Sequence, residues 1–172
     1  MYTSEEIGKN TWLILECGYD AIYYLEGDEK GLLIDTGVGA GNLKEYIDKN
    51  IASKPYDVLL THGHLDHIGA ILQYPKILVN EKDWEMVKNS ISNEDRRHFL
   101  ENMKEMSEGR VENQDSSNMI LYNGYLPELV DIADGAVINL GNRELQVHAT
   151  PGHTQGSICL TAVSYTHLTL PT

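Results

Sequence analysis

Cysteine is nearly missing from this 172-residue chain: Cys17 and Cys159 stand far apart and outside any paired-cysteine motif. That excludes a disulfide framework and makes a reducing cytoplasm the expected compartment. Cations are also scarce, with 13 Lys and Arg against 26 Asp and Glu and a formal net charge of −13. Recognition of a phosphate backbone needs clustered Lys and Arg, so nucleic acid is disfavoured as a partner. No apolar run approaches the ~20 residues that span a bilayer. The start, Met1-Tyr2-Thr3-Ser4-Glu5-Glu6, lacks the basic-then-apolar order of a secretory signal. Repeats and low-complexity tracts are absent. What is present is an ordinary globular composition, 41% hydrophobic and 23% charged, with length enough for one domain and its core.

Short apolar runs carry the fold signal. Thr11 to Leu15 and Ala21 to Glu26 read as strands, with Gly18 and Asp20 supplying turn chemistry between them. Gly31-Leu32-Leu33-Ile34-Asp35 and Tyr56-Asp57-Val58-Leu59-Leu60 are of the buried-strand type. Between them, a glycine-rich loop from Thr36 to Gly41 leads to Asn42, placed to cap a helix whose Leu43, Tyr46 and Ile47 share one face. Trp84, Val87 and Ile91 recur at helical spacing, as do Phe99, Met103 and Met106, with Ser92-Asn93-Glu94-Asp95 as a cap between two helices. Ser107 to Asn118 reads as a polar loop. Val137 to Leu140 and Glu144 to Ala149 predict a hairpin across Gly141-Asn142. Buried strands alternating with a helix favour a layered α/β fold over an all-β sandwich.

The chemistry concentrates in Thr61-His62-Gly63-His64-Leu65-Asp66-His67, directly after a buried strand. Three imidazoles and a carboxylate fall within six positions, and both group types are good ligands for Zn(II) or Fe(II). A loop can aim such side chains at a common centre, and Gly63 is expected to give the backbone the freedom to do so. Further on, Ala149-Thr150-Pro151-Gly152-His153-Thr154-Gln155-Gly156-Ser157 runs a strand into a Pro-Gly turn that presents His153. His98 lies in a charged helical stretch and His148 on a hairpin strand, and neither is claimed as a ligand.

These segments, with Leu33-Ile34-Asp35-Thr36-Gly37 upstream, resemble the three successive motifs of the metallo-β-lactamase superfamily, in order, over residues from about Trp12 to Leu160. The resemblance implies an α/β architecture, an αββα sandwich with a metal site along one edge of its sheets. The threonine-proline-glycine-histidine form is similar to the glyoxalase II-like branch of small intracellular hydrolases. Residue by residue, it implies that His62, His64 and His153 hold a first metal and that Asp66 and His67 belong to a second. Asp66 would also act catalytically, orienting the nucleophile and accepting its proton, while Asp35 supports the site from outside the ligand set. Two zinc ions are implied for the complete protein, with iron or manganese as substitutes. The implied chemistry is attack of metal-activated hydroxide on a small ester, thioester or lactone. A phosphodiesterase or nuclease of the same superfamily, or a non-catalytic metal-binding protein, is the alternative.

The chain departs from the family pattern after the last motif. A strand ending in Gly-Asp, whose carboxylate bridges two metals, and a final histidine are expected there and are not found. Residues 161–172, Thr161 to Thr172, are uncharged and threonine-rich and read as a non-native tail on a C-terminally incomplete domain of residues 1–160. His167 is accordingly not carried over as a ligand. The expectation is one weakly held metal and impaired activity, where the full-length parent is a zinc-dependent hydrolase.

Overall fold

The computed structural model describes residues 2–106 and 120–163. β1 (Tyr2–Gly8), β2 (Thr11–Glu16), β3 (Asp20–Glu26) and β4 (Gly31–Ile34) pair antiparallel in sequence order. The chain then changes mode. Helix α1 (Leu43–Asn50) carries it over to β5 (Tyr56–Leu59), which lies parallel to β4. The single turn α2 (Leu65–Ile68) leads on to β6 (Lys76–Leu78), and α3 (Trp84–Ser90) and α4 (Asn93–Met106) precede β7 (Glu128–Val130). Both β6 and β7 continue the parallel half, giving a seven-stranded mixed sheet in the order β1 to β7. A second, antiparallel sheet has the order β10-β9-β8, from β8 (Val137–Asn139), β9 (Glu144–Ala149) and β10 (Ile158–Val163).

Period-two alternation sorts the apolar side chains into two layers. Leu33 and Val58 face the helices, joining Leu43 and Ile47 of α1 and Val87 of α3. Their neighbours Leu32 and Leu59 point the opposite way and meet Leu145, Val147 and Ile158 of the small sheet. Helix, large sheet and small sheet are thus stacked as three layers of the expected sandwich. Among the described residues, no helix covers the outer face of the small sheet.

Local chemistry explains the element ends. The Asn42 side chain accepts from the Glu45 amide at 3.1 Å, as a cap should. Ser92 does the same for α4, accepting from the Asp95 amide at 3.0 Å. The glycine-rich loop is shaped by a residue far upstream: Glu16, fully buried, accepts from the amides of Val38, Gly39 and Ala40 at 2.7, 3.2 and 2.8 Å. The buried Arg96 of α4 lies against the same loop, donating to the Gly39 carbonyl at 3.3 Å and to that of Ile120 at 2.7 Å. The hairpin turns at Leu140–Arg143 as expected, with Gly141 at φ 107. The loop read at Ser107 to Asn118 and the end of the chain from Ser164 lie outside the described residues, whereas β10 continues past Leu160 to Val163. Among the described residues no helix is long and apolar enough to cross a membrane.

Candidate metal centre

Parallel pairing of β4 and β5, with Ile34 opposite Leu59, brings their carboxyl ends to one edge of the sheet. Asp35 emerges from β4 and Thr61, His62 and His64 follow β5. Asp35 has φ 64, a left-handed conformation that Asp tolerates better than most residues. That geometry aims its carboxylate back at the neighbouring strand. Oδ1 accepts from the Thr61 amide and Oδ2 from the Thr61 hydroxyl, each at 2.7 Å. Oδ2 also lies 2.8 Å from His67 Nδ1.

Proton accounting follows from these contacts. The Thr61 hydroxyl spends its hydrogen on Asp35, so its oxygen can only accept at His62 Nδ1, 3.0 Å away. His62 therefore carries its proton on Nδ1, which leaves Nε2 a bare lone pair. That Nε2 is buried and has no hydrogen-bond partner among the described residues. Burial, helped by the neighbouring imidazoles, pushes the His62 pKa down to about 4, which keeps the ring neutral and fit to ligate. His67 is fixed the same way, with Nδ1 towards Asp35 and Nε2 towards Asp66 Oδ2 at 3.5 Å. Burial disfavours its imidazolium, but hydrogen bonds to Asp35 and Asp66 and their charges outweigh this and push it up to about 10. Burial acts on Asp66 too, yet His67 holds its carboxyl below the usual range.

His153 arrives from the other sheet. β9 and β10 close on each other through Thr150 N to Ser157 O at 2.8 Å, and the Ile158 amide reaches across to the Thr61 carbonyl at 3.0 Å. His153 Nε2 then lies 2.9 Å from His64 Nδ1. One ligand atom from each of His62, His64 and His153 falls within 4.8 Å of the others. Nitrogens sharing one tetrahedral zinc at 2.0–2.1 Å stand about 3.3 Å apart, so small side-chain movements bring the trio to a common cation. The orphaned Nε2 of buried His62 and the all-imidazole donor set fit a divalent zinc-type ion.

Of the other sequence candidates, His67 lies beside the triad, its ring centroid 4.1 Å from that of His62. Asp66 and His67 sit on α2, a helical turn with His64 at its N-cap, where the sequence predicts a loop. Gly63 has no left-handed φ, contrary to the expected need for backbone freedom. What it supplies is space: a Cβ there would come within 3.2 Å of the Met86 side chain and 3.3 Å of the Asp83 carbonyl. His98 is exposed on α4, and His148 Nε2 pairs with Thr161 at 2.8 Å, away from the cluster.

Two acidic residues of the centre were invisible in sequence. Asp20, a turn residue in the sequence, keeps a buried Oδ2 without a partner among the described residues. Burial and the charges of Glu16 and Asp66 push it up to about 7. Asp83, ahead of α3 in a stretch read simply as helical, is buried against both ligand loops. Neither has a local motif that could have found it, because its partners come from other elements. Beside the triad opens a cleft of about 560 Å³, bounded by His64 and Asp66 on one side and by Asn89, Asp95 and Phe99 of α3 and α4 on the other.

A mixed seven-stranded sheet facing a smaller one, with imidazoles and carboxylates gathered where parallel strands end, defines a protein of the layered α/β class with a histidine cluster compatible with metal binding. The chain belongs to the metallo-beta-lactamase superfamily, whose family model matches residues 15–168. Among curated proteins it is 31% identical over 179 residues to the bovine (Bos taurus) acyl-coenzyme A thioesterase MBLAC2, covering 92% of this chain and 61% of that protein. It is 27% identical over 143 residues to the probable metallo-hydrolase YqgX of Bacillus subtilis, covering 79% and 57% respectively. The chain therefore spans about three fifths of the length of these relatives. Of solved structures, the subclass B3 metallo-beta-lactamase BJP-1 of Bradyrhizobium japonicum superposes with a TM-score of 0.61 at 19% identity, covering 92% of this chain and 56% of that one. At that identity the likeness concerns fold.

Proposed function

We propose that the chain carries the histidine-bearing part of a metal-dependent hydrolase acting on a small ester, thioester or lactone, with thioesters foremost. One observation carries the metal half of this reading: three imidazoles from two sheets converge, and the buried Nε2 of His62 has no hydrogen-bond partner among the described residues. Thioester chemistry is supported by the likeness to MBLAC2 and by the glyoxalase II-like form of the His153 motif.

His62, His64 and His153 would hold the first ion, and Asp66 and His67 the second. Zinc suits this donor set best, with iron or manganese as substitutes. A bound ion of this kind lowers the pKa of water it holds to about 7 and polarises a carbonyl oxygen. The residues of the chain supply the rest. Thr61 holds the tautomer of His62 that leaves its Nε2 free, and Asp35 anchors His67 through Nδ1, so that its Nε2 can serve the second ion once its proton is given up. Asp66, ionised beside His67, accepts the proton of the attacking water on its carboxylate. The cleft next to His64 seats the acyl group, Phe99 and Leu65 providing its apolar wall. Three nitrogens serve the first ion and two groups the second, so the first is held more tightly.

Titration with Zn(II) and Co(II), followed by assays on acyl thioesters, lactones and phosphodiesters, tests the reading. Metal uptake by the chain is expected, with thioester turnover by the full-length parent. Turnover of phosphodiesters alone would move the activity to the nuclease side of the superfamily, and full metal loading without turnover on any class would make this a binding protein.

A further inference from the structure

We infer that Asp83 is the positioning residue that grips the two ligand-bearing loops and sets their distance from each other. The inference rests on the metal reading above. Asp83 is 1% exposed, and both its oxygens are engaged. Oδ2 accepts from the Gly63 amide at 2.9 Å and from the Thr154 hydroxyl at 2.6 Å. Oδ1 accepts from the Gly156 amide at 2.8 Å. Gly63 is the residue between His62 and His64, and Thr154 directly follows His153. One carboxylate therefore holds the backbone between two of the imidazoles and the side chain adjoining the third.

The hydrogens around it have one consistent arrangement. Thr154 gives its hydrogen to Asp83, so the Ser157 hydroxyl, 2.8 Å from Thr154 Oγ1, must donate to that oxygen. Ser157 Oγ in turn accepts from the Thr154 amide at 3.0 Å. Every group facing the Asp83 carboxylate is a donor. An amide in its place would have to turn an NH2 towards one of them, and an apolar side chain would leave all three unmet.

Sterics make the grip close. A Cβ at Gly156 would lie 2.6 Å from Asp83 Cγ. Gly156 is thus glycine because the carboxylate passes directly beneath it. His62 and His64 follow the large sheet and His153 follows the small one, and Asp83 spans the gap from the turn that precedes α3. Displacing either loop changes the separation of His64 Nδ1 and His153 Nε2, which stands at 2.9 Å. Partners outside a ligand set that fix its geometry are worth about 10–100-fold in metal affinity.

Cobalt(II) is the probe, because its affinity and its visible absorption report ligand geometry separately from stability. In Asp83→Ala, cobalt affinity is expected to fall about 10–100-fold, with altered absorption bands. Thr154→Val should shift both in the same direction by less, and Thr154→Ser, which keeps the hydroxyl, should restore them. Leu43→Ala, at the start of α1 and buried in the core, serves as the control for lost stability without touching the centre. It should melt earlier and keep the wild-type affinity and spectrum. Wild-type affinity and spectrum in Asp83→Ala, or an equal loss in Leu43→Ala, would overturn the inference while leaving the metal reading intact. Should Asp83→Ala fail to fold, the Thr154→Val and Thr154→Ser pair decides alone. No cobalt uptake by the wild-type chain would overturn the metal reading and this inference with it.

Discussion

Thr61 has one hydroxyl hydrogen, and where it goes determines which nitrogen of His62 is free. Replacing Thr61 by Val keeps the shape and deletes the hydroxyl that links Asp35 to His62. The ring then loses its Nδ1 acceptor and divides between tautomers, only one of which can ligate through Nε2. We expect Thr61→Val to weaken Zn(II) binding by about 10-fold, the lower end for a residue acting through a ligand. Competition titration against a chromophoric chelator measures it, and a variant binding like the wild type would show that the hydroxyl has no part. His67 makes a pH prediction. Its pKa is raised from 6.5 to about 10 by Asp35 and Asp66, against the effect of burial. The folded metal-free chain thus binds this proton more tightly than the unfolded one. The stabilisation is complete below about pH 6.5 and is lost as the pH rises towards 10. Melting curves in chelator should show Tm falling across that window, and His67→Gln should flatten the slope. A cation that takes His67 must expel the same proton, so its affinity should rise with pH.

At the scale of elements, helix α1 offers a clean test of local chemistry. Asn42→Ala removes the side chain that accepts from the Glu45 amide and should cost about 0.5–2 kcal/mol in urea unfolding, with metal affinity unchanged. This cap, like the buried strands β4 and β5 and the helical spacing of Trp84, Val87 and Ile91, was legible in the sequence because its signal is local. Other elements left no such trace. β1 is exposed along nearly its whole length, so it carries no apolar period, and β6 and β7 are three residues each, too short to show one. α2 is one turn, too short to show a helical period, so Asp66 and His67 read as loop residues in the sequence. The histidine motifs announced the triad, but Asp83 and Glu16 act on segments at sequence distances of 20 to 73 and 22 to 24 residues. No spacing rule connects an isolated acid to partners that only the fold brings near.

At the scale of the molecule, the triad is shared between layers. His62 and His64 extend from the large sheet and His153 from the small one, so a cation held by all three ties the sandwich together at its edge. Binding to the folded form alone should then stabilise it by mass action. At a free zinc concentration of 100 times Kd the gain is about 2.7 kcal/mol. Differential scanning fluorimetry should register it as a rise in Tm, and His153→Gln should abolish the rise. Acidity bears on this scale too: with a net charge of −13, the chain attracts cations from a distance and repels anionic substrates in a salt-dependent way. The Ile158 amide, donating to the Thr61 carbonyl at 3.0 Å, sits where one sheet is latched to the other. It is thereby a built-in gauge of interlayer opening. Deuterium should enter that position slowly in zinc and quickly after chelation, while amides deep in β4 and β5 keep one pace throughout. Equal uptake at Ile158 in both conditions would mean that the seam stays shut without an ion.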